Sequence, residues 1–267
     1  MLRSIALLSP LSFVLACGSV QATSDASVDS ANANPDSAGP CGNGMPDPGE
    51  GCDNGPSNGP GMACNAQCMP NVCGDGDRGP GEACDNGPNN GETLGSCAPD
   101  CTKLVEAKHI VLSVSSSNGN LGVNPVATAD SFCPANHRAM FASGTTRRAT
   151  TMPNAAVGSV DWVVHPWTIY LNSSGQLIWQ TRTLPLLGVD ATGTFTALLN
   201  PIATGGSAII TGLAQDWTTL QQDNCTGWSS LAAGHNVGIP TSANIGFINN
   251  AGVQPCDVLN QFYCVEQ

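Results

Sequence analysis

The chain has 267 residues, among them 13 cysteines, 31 glycines and 19 prolines, and its 20 acidic residues outnumber eight lysines and arginines. A net charge of -12 leaves no basic surface for phosphates, which excludes nucleic-acid binding as a function class. Thirteen cysteines without paired CxxC or Cys/His zinc spacing indicate an exported, disulfide-bonded protein rather than a cytosolic one.

The N-terminal segment, residues 1–16, is typical of a secretory signal peptide. Arg3 supplies a positive charge before an apolar run over residues 5–16. A run of that length is too short to span a bilayer, and a charged start followed by a short apolar centre is what an export signal requires. We therefore expect this segment to be removed from the mature protein.

The end of this segment carries the residues of a lipid attachment site. The sequence V-L-A-C at 14–17 resembles the bacterial lipobox, which implies that Cys17 becomes the lipidated first residue of the mature chain. Removing Cys17 from the 13 cysteines leaves an even number, which can pair completely. Gly18 after Cys17 is similar to the pattern of lipoproteins passed on to the outer membrane. An ordinary signal peptide cut nearby is the alternative.

Residues 17–40 are predicted to form a disordered tether. They are almost wholly small or polar, with no aromatic residue, so they cannot bury enough apolar surface to fold. A flexible coil of this length has an end-to-end distance of roughly 25 to 30 Å. Residues 17–105 hold twelve of the 20 acidic residues, so most of the negative charge is expected near the membrane.

An internal repeat occupies residues 41–72 and 73–105. CGNGMPDPGEGCDNGP at 41–56 recurs as CGDGDRGPGEACDNGP at 73–88, with 11 of 16 positions identical. Units this short and rich in glycine cannot build an apolar core, so two disulfides in each are expected, with three connectivities open. The pattern resembles the myxobacterial-type cysteine-rich repeat of exported bacterial proteins. The cysteines concerned are Cys41, Cys52, Cys64 and Cys68 in the first unit and Cys73, Cys84, Cys97 and Cys101 in the second.

The same repeats are rich in oxygen-bearing side chains. Calcium favours such ligands, but the spacing is wrong for an EF-hand, because Gly79 stands where a third ligand is expected. Side chains that accept hydrogen bonds from the backbone of turns are the favoured interpretation, and a cation site stays open. The residues concerned are Asn43, Asp47, Glu50, Asp53, Asp75, Asp77, Glu82 and Asp85.

Residues 106–267 contain every tryptophan and tyrosine of the chain and are expected to form one domain with a real core. Alternating apolar residues predict a strand at 109–115, and Asn124 and Pro125 predict the start of a helix that reaches Cys133. Because strands dominate and do not alternate with helices, the fold class is α+β. Further strands are predicted at 137–142, 168–172, 176–181, 207–212, 244–248 and 261–266.

The order of the last four cysteines resembles the C-type lectin-like fold. The resemblance implies that the helix cysteine, Cys133, pairs with Cys264 in the last strand, and that Cys225 pairs with Cys256. Stretches such as SVDWVVHPWTIYLNSSGQLI at 159–178 and FYCVEQ at 262–267 also resemble a family of bacterial, notably spirochaete-type, surface lipoproteins of unassigned function in that superfamily. The E-P-N, Q-P-D and W-N-D motifs of calcium-dependent sugar binding are absent, so no metal ligand and no cofactor is carried over.

No constellation of residues indicates an enzyme, and no catalytic residue is assigned. G-x-S-x-G and H-E-x-x-H are absent, and the four histidines are far apart in the sequence. Asp216 and Asp223 could form a carboxylate pair or bind a ligand, although turn formation is favoured. Arg147 and Arg148 form a basic spot that could receive an anion, although a solvated or salt-bridged loop is favoured.

Two tryptophans are the candidate ligand platform. Trp217 and Trp228 flank Cys225 in the region that forms ligand loops in the C-type lectin-like fold, and an exposed indole face suits a sugar ring. Core burial is nevertheless the favoured interpretation for both. Trp162 and Trp167 are expected in the core.

The sequence therefore predicts an exported lipoprotein, held by lipid at a bacterial outer membrane or cell surface. Two cysteine-rich repeats precede a C-type lectin-like domain whose expected function is non-catalytic binding or adhesion, with an extracellular glycan or protein as ligand. A structural coat or spacer protein is the alternative. An extracellular hydrolase is a third, less favoured, interpretation.

Overall fold

A computed structural model describes residues 41–144 and 146–267. The predicted signal peptide, the lipidation site at Cys17 and the predicted tether at 17–40 lie outside these residues. No helix in the described part of the chain has the length and apolar character needed to cross a membrane.

Each repeat is a loop structure cross-linked by two nested disulfides. Cys41 bonds to Cys68 around Cys52–Cys64, and the second repeat has the same first-to-fourth, second-to-third order. This settles the connectivity that the sequence leaves open. The only helices in the repeats are two 3-10 turns, Gly55–Ser57 and Gly87–Asn89. The second repeat forms the equivalent bonds Cys73–Cys101 and Cys84–Cys97.

A buried carboxylate organises the first repeat. Asp53 Oδ2 accepts hydrogen bonds from the backbone N–H groups of Gly42, Asn43 and Gly44 at 3.0 to 3.1 Å, and its Oδ1 accepts one from Gly55 at 2.7 Å. Desolvation raises the pKa of Asp53. The hydrogen bonds from the Gly55 backbone, the Asn58 amide and the other backbone groups together have a larger, opposite effect, so the pKa lies below its usual value. The carboxylate thus replaces an apolar core as the centre of this small unit.

Asp85 has the same role in the second repeat. It accepts from Gly74, Gly76 and Gly87, and its pKa is also lowered on balance by these bonds against desolvation. Gly55 and its equivalent Gly87 have φ angles of 62° and 63°, a left-handed conformation that favours glycine. The spacing shared by the two units therefore produces the same arrangement in each: a set of backbone N–H groups that surrounds one aspartate carboxylate.

The two repeats meet through Asp77. Its carboxylate oxygens both lie 3.0 Å from the backbone nitrogen of Gly61 in the first repeat, and one accepts from Asn71 Nδ2 at 3.0 Å. The equivalent position in the first repeat is Met45, whose side chain is 66% exposed. The carboxylate that joins the repeats is thus present only in the second unit, and the equivalent position of the first unit is an exposed methionine.

The second repeat packs directly on the C-terminal domain, here called the head (residues 106–267). Ala98 and Val105 form a small buried cluster with Trp167 of the head. Arg182 Nε pairs with the Glu92 carboxylate at 3.0 Å, and the Gln180 amide donates to the Glu92 carbonyl. These contacts define the seam between the second repeat and the head.

A five-stranded mixed sheet forms the centre of the head, in the order β2-β7-β1-β3-β4. Strand β1 pairs with β3 in parallel, and the other three pairings are antiparallel. The first and last strands of the head are therefore neighbours. Their bounds are β1 Glu106–Leu112, β2 His137–Ala139, β3 Thr168–Leu171, β4 Leu177–Gln180 and β7 Tyr263–Glu266; a separate pair consists of β5 Gly234–Asn236 and β6 Val253–Pro255.

One full helix, α1 (Pro125–Ser131), packs beside β2. Its start is as predicted, but Asn124 contributes its backbone carbonyl to Thr128 and no side-chain cap. Cys133, just after α1, bonds to Cys264 in β7, and Cys225 bonds to Cys256. The head thus contains both disulfides that the resemblance implies. A second, distorted turn, α2 (Cys225–Trp228), begins at the second bond.

Long loops hold most of the core. Ile110, Tyr170 and Tyr263 of the sheet pack with Trp217 and Phe247 from loops, all of them buried. The Tyr263 hydroxyl donates to the Phe247 carbonyl at 2.9 Å, which satisfies its polar end. In the described residues, the mixed sheet, few helices and six disulfides agree with the α+β, disulfide-rich class expected from the sequence.

Two of the predicted strands are wrong. Residues 244–248 contain a 3-10 helix, Ile245–Phe247, and residues 207–212 make only isolated bridges through Ile209. Both are short apolar runs whose burial in loop layers gives the same sequence signal as a strand. The small pair β5–β6 lies in glycine-rich sequence and is not predicted.

Candidate ligand-binding groove

A groove opens between two loops of the head. It has a volume of about 390 Å³, within the range of small-ligand sites. A parallel bridge between Thr150 and Thr218 joins the loops. The residues that line the groove are Gly144, Arg148, Thr150, Thr151, Thr218, Thr219 and Gln221; we call it the Arg148 groove.

A buried ion cluster anchors the first loop. Arg147 is fully buried, and its Nη1 and Nη2 lie 2.7 and 2.8 Å from the two carboxylate oxygens of Asp130. Its Nε donates to Asp161 at 3.1 Å, and Asp161 also accepts two bonds from Arg138 at 2.8 and 2.6 Å. These hydrogen bonds satisfy a charge that would be costly to bury alone. They also fix the backbone directly before Arg148.

The ion cluster changes the acidity of its members. The hydrogen bond from Arg138 is the main cause that lowers the pKa of Asp161; partial burial opposes it and Arg147 adds to it. The pKa of Arg138 is raised, first by its bond to Asp161. Both groups stay charged over the ordinary pH range. Arg147 is engaged by Asp130 and Asp161 and is not available to an external ligand. Arg147 thus has the salt-bridged role that the sequence favours, and it is not a receptor for an external anion.

Arg148 differs from its neighbour. Its backbone exchanges two hydrogen bonds with Val160, at 3.0 and 3.1 Å, and its Nε donates to the carbonyl of Gly158 at 2.5 Å. Within the described part of the chain, no carboxylate lies within 4.0 Å of this guanidinium, and Nη1 and Nη2 have no hydrogen-bond partner. The groove thus contains a positioned guanidinium with open donors.

The rest of the lining is neutral and hydrogen-bonding. The Thr219 hydroxyl is buried without a hydrogen-bond partner among the described residues. Thr218 Oγ1 donates to Asp216 Oδ1 at 2.6 Å, and Gln221 Nε2 donates to the Thr219 carbonyl at 3.1 Å. The groove therefore offers hydroxyl and amide groups, without an aromatic or aliphatic side chain in its lining.

The two candidate ligand-binding tryptophans, Trp217 and Trp228, are both buried. Trp217 is 0% exposed and packs edge-on against Trp162 and Phe247, with ring centroids 6.2 and 5.8 Å away. Trp228 is 2% exposed and packs against Phe141 at 5.0 Å. Trp217 sits in a tight turn with φ 68°, which sends its ring inward while its polar neighbours face water. Core burial, the interpretation favoured for both tryptophans, is confirmed, and the polar residues around Trp217 do not expose its ring.

The two candidate carboxylates do different things. Asp216 Oδ1 accepts the backbone N–H of Thr218 at 3.1 Å as well as its hydroxyl, so it stabilises the turn beside the groove. Asp223 is exposed, and its carbonyl accepts from Asn236. Asp216 thus has the turn-forming role that the sequence favours, and it positions a threonine of the groove rather than lining it.

His235 lies in the core beside a disulfide. It is fully buried, its Nε2 is 3.1 Å from Asn260 Nδ2, and burial lowers its pKa. One ring nitrogen and the sulfurs of Cys225 and Cys256 lie within 4.8 Å of one another. Because both sulfurs are bonded to each other, neither is available as a thiolate ligand.

The oxygen-bearing side chains of the repeats are engaged by the backbone. Glu50 and Glu82 accept N–H bonds from Asp47 and Gly79, both at 2.9 Å. Asp75 Oδ2 accepts from Val72 at 3.0 Å. Together with Asp53, Asp77 and Asp85, these groups have the turn-stabilising role favoured by the sequence, and their oxygens are directed at N–H donors.

Sequence reasoning identifies part of this groove. The Arg147–Arg148 pair is visible as a basic spot on an acidic chain, but only the structure separates the buried arginine from the open one. The threonines and Gln221 carry no signal, because isolated polar residues in loops have neither periodicity nor a motif.

Comparison with known proteins places a family domain over the groove. The chain carries a domain matched by the family described as protein of unknown function DUF1554, over residues 115–245. That range contains every residue of the groove lining and the ion cluster beneath it. No curated protein and no solved structure shows significant similarity to the chain.

Proposed function

We propose that the protein is an exported lipoprotein that displays a non-catalytic ligand-binding or adhesion domain, with a glycan or a protein as ligand. Lipid at Cys17 anchors it to a bacterial outer membrane or cell surface, and the two repeats hold the head away from the membrane. The Arg148 groove carries the proposal. It combines polar side chains, one guanidinium with no carboxylate partner among the described residues and a rigid base, which are elements of a preorganised binding site.

The C-type lectin-like assignment of the head is part of this proposal. It is supported by the pairing of the first and last strands, β1 and β7, and by the disulfide between Cys133 and Cys264. The second bond, Cys225–Cys256, closes the loop region as the resemblance implies. A fold of this kind supports binding chemistry in loops without prescribing the ligand.

The surroundings of the histidines favour binding over hydrolysis. Among the described residues, His109 contacts Glu266, His137 contacts the carbonyl of Ala135, and His235 contacts Asn260. A nucleophile, base and orienting group in one cleft would be required for covalent hydrolysis. The Arg148 groove has no histidine in its lining.

A structural spacer is the second candidate, and the seam favours it. Direct packing of the second repeat on the head through Trp167 and Glu92 creates a stiff junction, which suits a protein that sets a distance at the cell surface. A spacer requires no specific ligand.

Binding to arrays of glycans and extracellular-matrix proteins separates the two candidates. The oxidised protein, purified in detergent, is applied with and without EDTA. A binding domain gives saturable signals that EDTA leaves unchanged, because the Arg148 groove supplies no metal ligand set. Absence of any specific signal would contradict the binding proposal and favour the spacer, and loss with EDTA would show that a cation is required.

A further inference from the structure

We propose that the Arg148 groove binds a glycan through an acidic sugar unit, whose carboxylate or sulfate pairs with the Arg148 guanidinium. This rests on the proposed function and names its ligand class. The anionic group approaches Nη1 and Nη2, and the sugar hydroxyls contact the threonines and amide of the lining.

The case for an anion comes from comparing the arginines of the head. Arg138, Arg147 and Arg182 each have a carboxylate within 3.4 Å. Arg148 has none within 4.0 Å among the described residues, although its Nε and backbone are held by Gly158 and Val160. A guanidinium fixed at one edge with two open nitrogens matches the two oxygens of a carboxylate or sulfate.

The neutral lining favours a sugar over a peptide. Protein-binding surfaces rely on aromatic or large apolar anchors, and the lining residues of this groove include none. The exposed Thr151, whose hydroxyl donates to the Val157 carbonyl at 3.1 Å and still has lone pairs to accept with, and the exposed amide of Gln221 instead suit a polyhydroxylated ligand.

Overall charge limits how many anionic groups can be recognised. The head contains eight acidic residues against five lysines and arginines, so its own charge is mildly negative and does not attract a densely charged polymer beyond the groove. Only one arginine contributes to the lining. The geometry therefore points to a glycan with isolated acidic units rather than to a continuous polyanion.

The ion cluster prepares Arg148 for this role. Arg147 is clamped between Asp130 and Asp161 one residue earlier, so the loop is ordered before any ligand arrives. Ordering a loop in advance removes part of the entropic cost of binding.

Matched oligosaccharides test the proposal. The probes are pairs that differ only in the acidic group: uronic-acid oligomers against their methyl esters, and sulfated oligomers against their unsulfated forms. We expect the oxidised protein in detergent to prefer one or both acidic forms. Arg148→Gln should weaken that binding about tenfold or more, since a hydrogen bond to a charged group is lost, and Arg148→Lys should recover only part of it.

Arg78→Gln is the matched control. Arg78 is exposed in the second repeat, contacts the Glu82 carbonyl rather than a carboxylate, and its replacement changes the net charge equally. This variant should bind like the wild type. Thermal unfolding of each variant verifies that the head remains folded.

The outcomes distinguish this inference from the proposed function. Equal binding of acidic and neutral forms, or acidic binding unchanged by Arg148→Gln, would overturn the inference and leave a glycan-binding head. Binding only to acidic peptides or matrix proteins would overturn it as well. Absence of binding to any glycan or protein would overturn the proposed function itself.

Discussion

Trp167 Nε1 of the head donates a 2.6 Å hydrogen bond to Asp100 Oδ2 of the second repeat. The indole is 6% exposed and packs on Ala98 and Val105, so its polar edge and its apolar face both contact the repeat. Lys103 Nζ, close by in the chain, donates to Thr168 Oγ1 at 3.2 Å. One tryptophan thus joins two units that differ in the source of their stability, disulfides in one and an apolar core in the other.

Trp167→Phe should loosen the seam while leaving both units folded. The ring is largely kept, but the bond to a charged acceptor is lost, which costs about 1 to 2 kcal/mol. Hydrogen exchange of the backbone should accelerate around residues 98–105. Trp162→Phe is the control, because it deletes an indole N–H bonded inside the head to Pro185. Equal exchange at the seam in the two variants would contradict this account.

The disulfide between Cys133 and Cys264 should dominate the stability of the head. Its sequence separation of 131 residues makes it the largest loop closure in the described chain. Replacing both cysteines by alanine should lower the free energy of unfolding by about 3 to 5 kcal/mol, because the unfolded chain regains that freedom. Urea unfolding measures the loss. The matched change at Cys84 and Cys97, separated by 13, should leave unfolding of the head unchanged.

The ion cluster should make the head sensitive to acid. The pKa of Asp161 is lowered in the folded protein, so its contribution to stability is complete above its unfolded pKa, about 3.9. That contribution is lost as the pH falls through the folded pKa. Asp161→Asn should therefore flatten the pH dependence of urea unfolding below about pH 4.

Asp257→Asn makes the same charge change at an exposed position and is the matched control. If the two variants gave the same acid dependence, the ion cluster would not be a source of stability.

His235 should give a second, separate pH dependence. Burial lowers its pKa, so the folded head favours the neutral ring, and stability is complete above the unfolded pKa of about 6.5. Stability then declines as the pH falls from there through the folded pKa, because the unfolded state binds the proton more readily. His235→Gln should reduce the difference in unfolding free energy between pH 7.5 and pH 5.

His165 is the internal comparison. Its pKa is also lowered, by burial and then by Lys108 and Lys103, so some pH dependence should persist in the His235 variant. A His235 variant whose pH dependence equals that of the wild type would rule out the buried imidazole as a contributor.

Cys17→Ser should abolish membrane anchoring. The thiol is the only acceptor for lipid in the proposed lipobox, so the variant should lose acylation and leave the membrane fraction. Fractionation and mass spectrometry of the N-terminus measure both. A variant that stays acylated and membrane-bound would contradict the proposal that lipid is attached at Cys17.

Most of the structure that the sequence predicts follows from cysteine spacing and from strong local motifs. The repeat boundaries follow from the duplicated C-G-x-G-x4-G-E-x-C-D-N-G pattern, and α1 follows from Pro125. The disulfides of the head are those implied by a resemblance. The nested connectivity of the repeats could not be derived, because all three pairings are compatible with the same spacing.

The loops of the head were predicted least well, for a physical reason. Trp217 lies among polar residues yet is buried, since a left-handed turn rather than a periodic element directs its ring. Likewise Arg147 and Arg148 are adjacent and chemically identical, and only tertiary contacts with Asp130 and Asp161 separate them. Sequence patterns report regular elements, and this groove is built from irregular backbone.

A hydrogen-exchange footprint of the bound protein tests the central claim, that the head binds its ligand in the Arg148 groove. The ligand giving the strongest array signal is added to the oxidised protein, and peptides spanning the chain are compared with and without it. The account predicts protection concentrated in residues 146–151 and 218–221, and absent in Arg148→Gln at the same ligand concentration. Protection confined to the repeats or to the seam, or identical protection in the variant, would contradict it.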